Sequence, residues 1–267
     1  MNNSEIKNKL HIGILAAMPE EIGAALSKIY HISEISFGDL TIYSGIWNEN
    51  YLNNLPIYLS IAWSGWGKVS AARAATRLIS HSYNDKSVDL ILFTGVAGAV
   101  DPILEQWDIV VPNSLIQHDM DASPIFEKYT IPALDQSEIK PNKELFKWIL
   151  DQFNEKIKPN HHLPFKNIHS GLIATGDQFI SDKNKINILR ESIDKVIAIE
   201  MEGAAVAQVA QQENKPWIII RVISDSADDD APENFKEFIS KYQEHSWSLI
   251  ELLLNSIDTK ILKILKK

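Results

Sequence analysis

Apolar, β-branched runs recur along this chain, separated by stretches whose apolar residues fall at helical spacing. Residues 10–17 read as a buried strand, and 19–29 as a helix with Pro19, Glu20 and Glu21 in its first turn. Strands are expected over 35–47 and 55–63, with turns at Gly38-Asp39 and Asn48-Glu49-Asn50. A helix over 68–80 leads to a strand over 89–94 that ends at Gly95, and a further strand covers 108–116. Residues 119–142 form a long polar, Pro-containing connection, of a length that usually marks a functional or mobile segment. Helix 143–154, strand 168–174, helix 182–191, strand 196–199, helix 202–212 and strand 217–223 continue the alternation. A last helix runs over 232–265 with a break near Ser256. This order predicts an α/β fold, with a mixed or largely parallel central sheet covered by helices on both faces. At 267 residues the chain has ample core, and no repeat or low-complexity linker divides it, so one domain over 1–267 is expected.

Acids close two of the predicted buried strands, in Ile199-Glu200-Met201-Glu202-Gly203 and in Arg221-Val222-Ile223-Ser224-Asp225. Carboxylates beside such a core are costly unless they are paired, hydrogen-bonded or used. Taken singly, Glu200 and Glu202 read equally well as acids that complement a helix N-terminus. With Asp225 they point to a site for a polyhydroxylated or basic small molecule, because ligands of open α/β sheets bind at the C-terminal strand ends. Glycines gather at strand ends too, in Ser64-Gly65-Trp66-Gly67-Lys68 and Thr94-Gly95-Val96-Ala97-Gly98. They either let backbone N–H groups approach a ligand or serve only as tight strand-to-helix turns.

Several chemistries are disfavoured. Neither glycine cluster matches the dinucleotide or P-loop pattern, and no GxSxG elbow is present. His118-Asp119-Met120-Asp121 has metal-ligand residue types, but without HExxH or a His-rich helix it reads as a polar loop, so no metal is expected. The chain has no cysteine, which removes disulfides and thiolate chemistry. A net charge of −9 without a broad basic face argues against nucleic acid or an anionic membrane as partner. The basic tail over 260–267 reads as a helix C-terminus. The opening residues lack an apolar leader core and the run over 12–18 is too short to cross a bilayer, so a soluble cytoplasmic protein is expected.

The motifs Ala17-Met18-Pro19-Glu20-Glu21, Ser64-Gly65-x-Gly67-Lys68, Thr94-Gly95-x-Ala97-Gly98 and His118-Asp119-x-Asp121 come first along the chain. Gly171-Leu-Ile-x-x-Gly176-Asp177-x-Phe179-Ile180, Glu200-Met201-Glu202 and Arg221-x-Ile223-Ser224-Asp225 follow. Their order resembles that of the nucleoside phosphorylase superfamily, and most closely its 5'-methylthioadenosine/S-adenosylhomocysteine nucleosidase branch, from about residue 11 to about 255. The resemblance implies a nucleoside phosphorylase-like three-layer sandwich, its mixed sheet partly curled into a barrel and flanked by helices. It also implies a homodimer without a cofactor that hydrolyses the N-glycosidic bond of a nucleoside substrate and releases adenine.

Roles follow residue by residue from the same resemblance. Asp225 would protonate or hydrogen-bond N7 of the departing purine, and Glu21 would position and deprotonate the attacking water. Glu202 would accept ribose hydroxyls with Met201 beneath the sugar, and Val96, Ala97 and Gly98 complete the substrate-binding wall. Phe179 would stack on adenine while the Ile180 backbone reads its Watson–Crick edge. Ser224, Arg221 and Glu200 would support these acids from behind. Met18, Trp66 and Phe235 would surround the 5' substituent together with Phe126 and Pro132 of a neighbouring subunit. Singly, Phe179 and Met201 would be ordinary core residues and Arg221 a buried ion-pair partner; their joint order decides otherwise.

Water is the expected nucleophile. Phosphorylases of the superfamily carry phosphate-binding arginines in the loops that correspond here to 16–22 and 93–98, and these loops hold neither Arg nor Lys. Two positions depart from the branch: Val96 replaces a common hydroxyl residue, and Trp66 a smaller aliphatic one. The alternatives are a futalosine-type or 5'-deoxyadenosine nucleosidase, a purine nucleoside phosphorylase, or a non-catalytic ligand-binding relative.

Overall fold

The computed structural model describes residues 9–48, 56–157, 162–226 and 231–265. Glu49 and Asn50 of the expected turn, the opening segment before Lys9 and the last two lysines lie outside them.

Strand β1 (Leu10–Ala16) is buried along its whole length and lies inside the sheet. It pairs in parallel with β4 (Ile57–Trp63) on one side and β7 (Leu90–Ala99) on the other. Beyond β4 the sheet continues antiparallel through β3 (Leu40–Asn48) to the edge strand β2 (Tyr30–Phe37). Beyond β7 come β12 (Trp217–Asp225), β8 (Ile109–Gln117), β10 (Ile168–Thr175) and β11 (Val196–Glu200). β11 then pairs back onto β7, antiparallel, through Ala198 with Ala99 and Ile199 with Gly98. These five strands close a ring, so the sheet is mixed and partly a barrel, as expected. A short hairpin, β5 (Ser82–Tyr83) with β6 (Lys86–Ser87), stands apart, and β9 (Glu138–Ile139) rides on β8.

Alternation along the strands sends side chains into two helical layers. Ile12 and Ile14 of β1, with Leu59, Leu92 and Ile220, pack under α2 (Lys143–Lys156), α6 (Ser246–Ser256) and α7 (Thr259–Leu265). Leu15, Ile91, Phe93 and Ile219 pack on the other face under α1 (Lys68–Ile79) and α4 (Gly203–Gln212). α3 (Lys183–Ser192) covers a smaller cluster with Leu172, Ala174 and Val196.

Three expectations are corrected. The helix expected over 19–29 is two short 3-10 turns, Pro19–Glu21 and Ala25–Lys28. Gly23 between them has φ +57°, and a Cβ there would come within 2.5 Å of the Gln243 carbonyl, so the segment bends around the neighbouring helix junction instead of coiling. The strand expected to end at Gly95 runs through to Ala99, because its second half is paired with both β12 and β11. The single last helix is three: α5 (Ala231–Tyr242), α6 and α7, interrupted around His245 as well as after Ser256.

Candidate active site

The strand ends place the acids. Glu21 follows β1 on the first 3-10 turn and is buried. Its Oε2 accepts the backbone N–H groups of Ala17 and Met18 at 2.8 and 3.0 Å, and its Oε1 accepts that of Val96 at 2.9 Å. Burial raises its pKa above the ordinary glutamate value, against the opposing pull of Arg221 and these three N–H groups. Such a carboxyl is poised for proton transfer nearer neutrality. Gly95 makes room for it, since a Cβ there would stand 2.6 Å from Glu21 Oε1 and 2.8 Å from Arg221 Nη1. The Val96 departure leaves the contact intact, because the backbone of residue 96 supplies it.

Glu200 and Glu202 divide the roles that sequence left open for them. Glu200 takes Arg221 Nη2 at 2.6 Å and caps α4 by accepting the N–H groups of Glu202 and Gly203 at 3.1 and 2.7 Å. It also accepts the Thr175 hydroxyl. This is the helix-terminus reading, reinforced by a buried ion pair. Arg221 is itself buried and lies 4.0 Å above the Phe93 ring, so it serves the adjoining acid Glu200. Glu202 occupies the N-cap position of α4, but its Oε1 accepts Gly67 N–H at 2.8 Å. Gly67 reaches it at φ +91°, a conformation glycine adopts without strain. Burial, then repulsion by Glu200, pushes the Glu202 pKa up to about 8.

A bulge aims Asp225. In the β12–β7 ladder Ile223 is opposite Ala97 and Asp225 opposite Gly98, so Ser224 is an extra residue. In a regular strand Ser224 and Asp225 would face opposite sides; here both line the same cavity and Ser224 Oγ donates to Asp225 Oδ2 at 2.6 Å. Gln106 fixes the bulge by donating to the Ser224 carbonyl at 2.8 Å.

The cavity is lined by Met18, Glu21, Trp66, Val96, Ala97, Gly98, Phe179, Ile180, Met201, Glu202, Ser224, Asp225 and Phe235, all expected there, and by Glu200, which was expected only behind the acids. Ala17, Gln178 and Ile199 also line it. Gln178 was missed because it fills the unspecified position of the Gly176-Asp177-x-Phe179 motif, and Ile199 because it read only as the strand's last apolar residue. Trp66, Phe179 and Phe235 form an aromatic cluster: Trp66 and Phe179 are near parallel at 6.5 Å, and Phe235 stands edge-on to both at 6.0 and 5.8 Å. Trp66 is 48 % exposed and Phe179 40 %, so neither is an ordinary core residue. Phe126 and Pro132 do not line this chain's cavity.

Among the described residues the lining contains no Arg or Lys, and no cluster of three His, Cys, Asp or Glu could hold a metal. Asp119 is paired with Lys68, and Asp121 accepts the Ser123 N–H. No described helix is long and apolar enough to cross a membrane. Four carboxyl groups line this aromatic-walled cavity, and the three not paired with Arg221, those of Glu21, Glu202 and Asp225, can bind hydroxyls, protonate a leaving group and activate water.

Comparison with known proteins agrees with this arrangement. The sequence model of the Phosphorylase superfamily matches residues 11–255. The 5'-methylthioadenosine/S-adenosylhomocysteine nucleosidase of Staphylococcus haemolyticus is 34 % identical, covering 91 % of this chain and 98 % of its own. Among solved structures, the corresponding Neisseria meningitidis nucleosidase in complex with methylthio-immucillin-A has a TM-score of 0.80 at 26 % identity, covering 92 % of this chain and 99 % of its own. The futalosine hydrolase of Helicobacter pylori has a TM-score of 0.79 at 30 % identity, covering 93 % and 98 %. Fold, motif order and matched length together establish that the chain belongs to the 5'-methylthioadenosine/S-adenosylhomocysteine nucleosidase family of the phosphorylase superfamily.

Proposed function

We propose that this chain hydrolyses the N-glycosidic bond of 5'-methylthioadenosine or S-adenosylhomocysteine and releases adenine. The observation that carries the reading is the convergence of Glu21, Glu202 and Asp225 on one cavity whose described lining contains no cation. Asp225, fixed by Ser224, protonates or hydrogen-bonds N7 as the base departs. Glu21 holds a water and takes its proton as it attacks the oxocarbenium-like sugar; the upward pKa shift supports that role. Glu202 engages the ribose hydroxyls with the oxygen not taken by Gly67, and Met201 packs beneath the sugar. Phe179 stacks on adenine, Ile180 reads its edge, and Met18, Trp66 and Phe235 enclose the 5' group. A phosphate nucleophile would meet carboxylates without a free cation, because the nearby Arg221 is bound to Glu200.

Assembly as a homodimer, with Phe126 and Pro132 reaching the neighbour's 5' pocket, belongs to the same proposal. Pro132 is exposed, Ile125 is 82 % exposed and Phe126 is half-buried, which supports an outward apolar face on this connection. Ile131, the apolar residue beside Pro132, is instead buried in its own chain's core. A futalosine-type activity is the second reading, favoured by the structural likeness to the Helicobacter pylori futalosine hydrolase, with a TM-score of 0.79 against 0.80 for the Neisseria meningitidis nucleosidase. Incubation of the purified protein with methylthioadenosine, adenosylhomocysteine, 5'-deoxyadenosine and futalosine, with and without phosphate, tests both. Free adenine with unphosphorylated sugar is expected; ribose 1-phosphate-type products would support a phosphorylase, and no base release would remove the enzyme reading.

A further inference from the structure

A closed cycle of polar contacts lies beside the cavity without lining it. Lys68 Nζ is 2.5 Å from Asp119 Oδ1, Asp119 Oδ2 accepts the backbone N–H of Asp177 at 3.0 Å, and Asp177 Oδ1 accepts the backbone N–H of Lys68 at 2.7 Å. The Lys68 and Asp119 side chains retain 18 % and 22 % of their exposure, so the pair is screened less than one on the open surface. A branch extends it, since Lys68 Nζ also donates to Gln117 Oε1 at 3.1 Å. Two of its members, Lys68 and Asp177, lie within two residues of the cavity lining along the chain. Gly67, next to Lys68, supplies the N–H on Glu202, Trp66 precedes it, and Asp177 is two residues before Phe179.

We propose that Asp119, with Lys68 and Asp177, is a positioning group: a clasp that sets the separation of the Trp66 and Phe179 loops and holds Gly67 N–H on Glu202. Both carboxylate oxygens of Asp119 are used, one on a side chain of the first loop and one on the backbone of the second, which fixes distance and orientation together. Asp119 also opens the long 119–142 connection, so the clasp anchors that segment at the cavity rim. What the clasp positions for rests on the nucleosidase reading; the clasp itself rests on the contacts alone.

The test compares wild type with Asp119→Ala, Asp119→Asn and Asp177→Ala. Two quantities are read: KM and kcat for adenine release, and hydrogen–deuterium exchange of peptides covering 64–70 and 176–181 in the ligand-free protein. Asp119→Ala and Asp177→Ala are expected to raise KM about tenfold or more, with a smaller change in kcat, and to speed exchange in both peptides. Asp119→Asn keeps one of the two acceptor oxygens and is expected to give a KM between those of wild type and Asp119→Ala. Unchanged exchange in both peptides would overturn the proposal, as would Asn damage equal to Ala or a loss confined to kcat. If wild type releases no base from any nucleoside, the nucleosidase reading fails, and the exchange measurement still decides the clasp.

Discussion

Arg221 places its guanidinium 2.6 Å from Glu200, while Glu202, two residues further on, takes a backbone N–H as its hydrogen bond. One acid is neutralised by a cation; the other is buried beside a like charge, and its pKa rises from 4.5 to about 8. A raised carboxyl binds its proton more tightly in the folded state, so its contribution to stability is complete below about pH 4.5 and is lost as pH climbs toward 8. Glu21 adds to the same trend. His11 opposes it: burial lowers its pKa from 6.5 to about 4 against the opposing pull of the Lys86 carbonyl, so its contribution is lost as pH falls through that window. The ligand-free protein should therefore melt at decreasing temperature as pH rises from about 6.5 to about 8. Glu202→Gln should flatten that slope, and a variant that kept the wild-type slope in calorimetry would place the effect elsewhere.

Glu21→Gln and Asp225→Asn should each lower adenine release by at least about a hundredfold, the lower end for losing general acid–base help. Steady-state rates of the folded variants decide this, and wild-type-like turnover in either would remove its residue from the mechanism.

Gly95→Ala tests the same acid without touching an ionisable group. The added methyl has no room beside Glu21 Oε1 at 2.6 Å and Arg221 Nη1 at 2.8 Å. Activity should fall about tenfold or more and thermal stability should drop, because overpacking typically costs about 1–3 kcal/mol. A melting curve and rate equal to wild type would mean that the Glu21 carboxyl moves freely.

Trp66 bears on substrate choice. Its indole is packed against Phe179 and Phe235, and on the proposed pose it would give a short 5'-methylthio group an apolar wall but narrow the exit for a homocysteine tail. Methylthioadenosine should be preferred to adenosylhomocysteine, and Trp66→Ile should reduce that preference by about tenfold, within the range for one reshaped pocket contact. Equal kcat/KM ratios in the two proteins would show that the indole does not gate the 5' group.

Phe126→Ala probes the shared site. Light scattering should show a dimer, and the variant should raise KM for 5'-thio nucleosides by about tenfold, as for loss of an apolar anchor. A fully active monomer at assay concentration would contradict a contribution from the neighbouring chain.

The role of Glu21 and the aromatic walls came from the resemblance in motif order, whereas Glu200, Glu202 and Asp225 were legible from the residues themselves, because a buried run followed by Glu or Asp is costly without a use. The strand–helix alternation gave the layers for the same reason, through its apolar period. Other features depend on contacts far apart in the chain. The bulge at Ser224 exists only against β7, and nothing within Arg221-Val222-Ile223-Ser224-Asp225 announces that two adjacent side chains share a side. The strand continuing past Gly95 needs both β12 and β11 as partners. The apolar spacing around Ile22 and Leu26 looks helical, and the left-handed φ of +57° at Gly23, taken where the chain passes Gln243, is not announced by it.

The carboxylates and the aromatic walls sit on different kinds of support. Asp225 closes a strand of the ring, Glu202 begins a packed helix and Glu21 is gripped by three backbone N–H groups. Trp66 and Phe179 stand on turns outside the ladder, and Phe235 on the first turns of a peripheral helix. On the proposed pose, selectivity for the 5' group is thus separately replaceable: a mutant library confined to Trp66 and Phe235 can explore new 5' substituents while Phe179 and the three acids are retained.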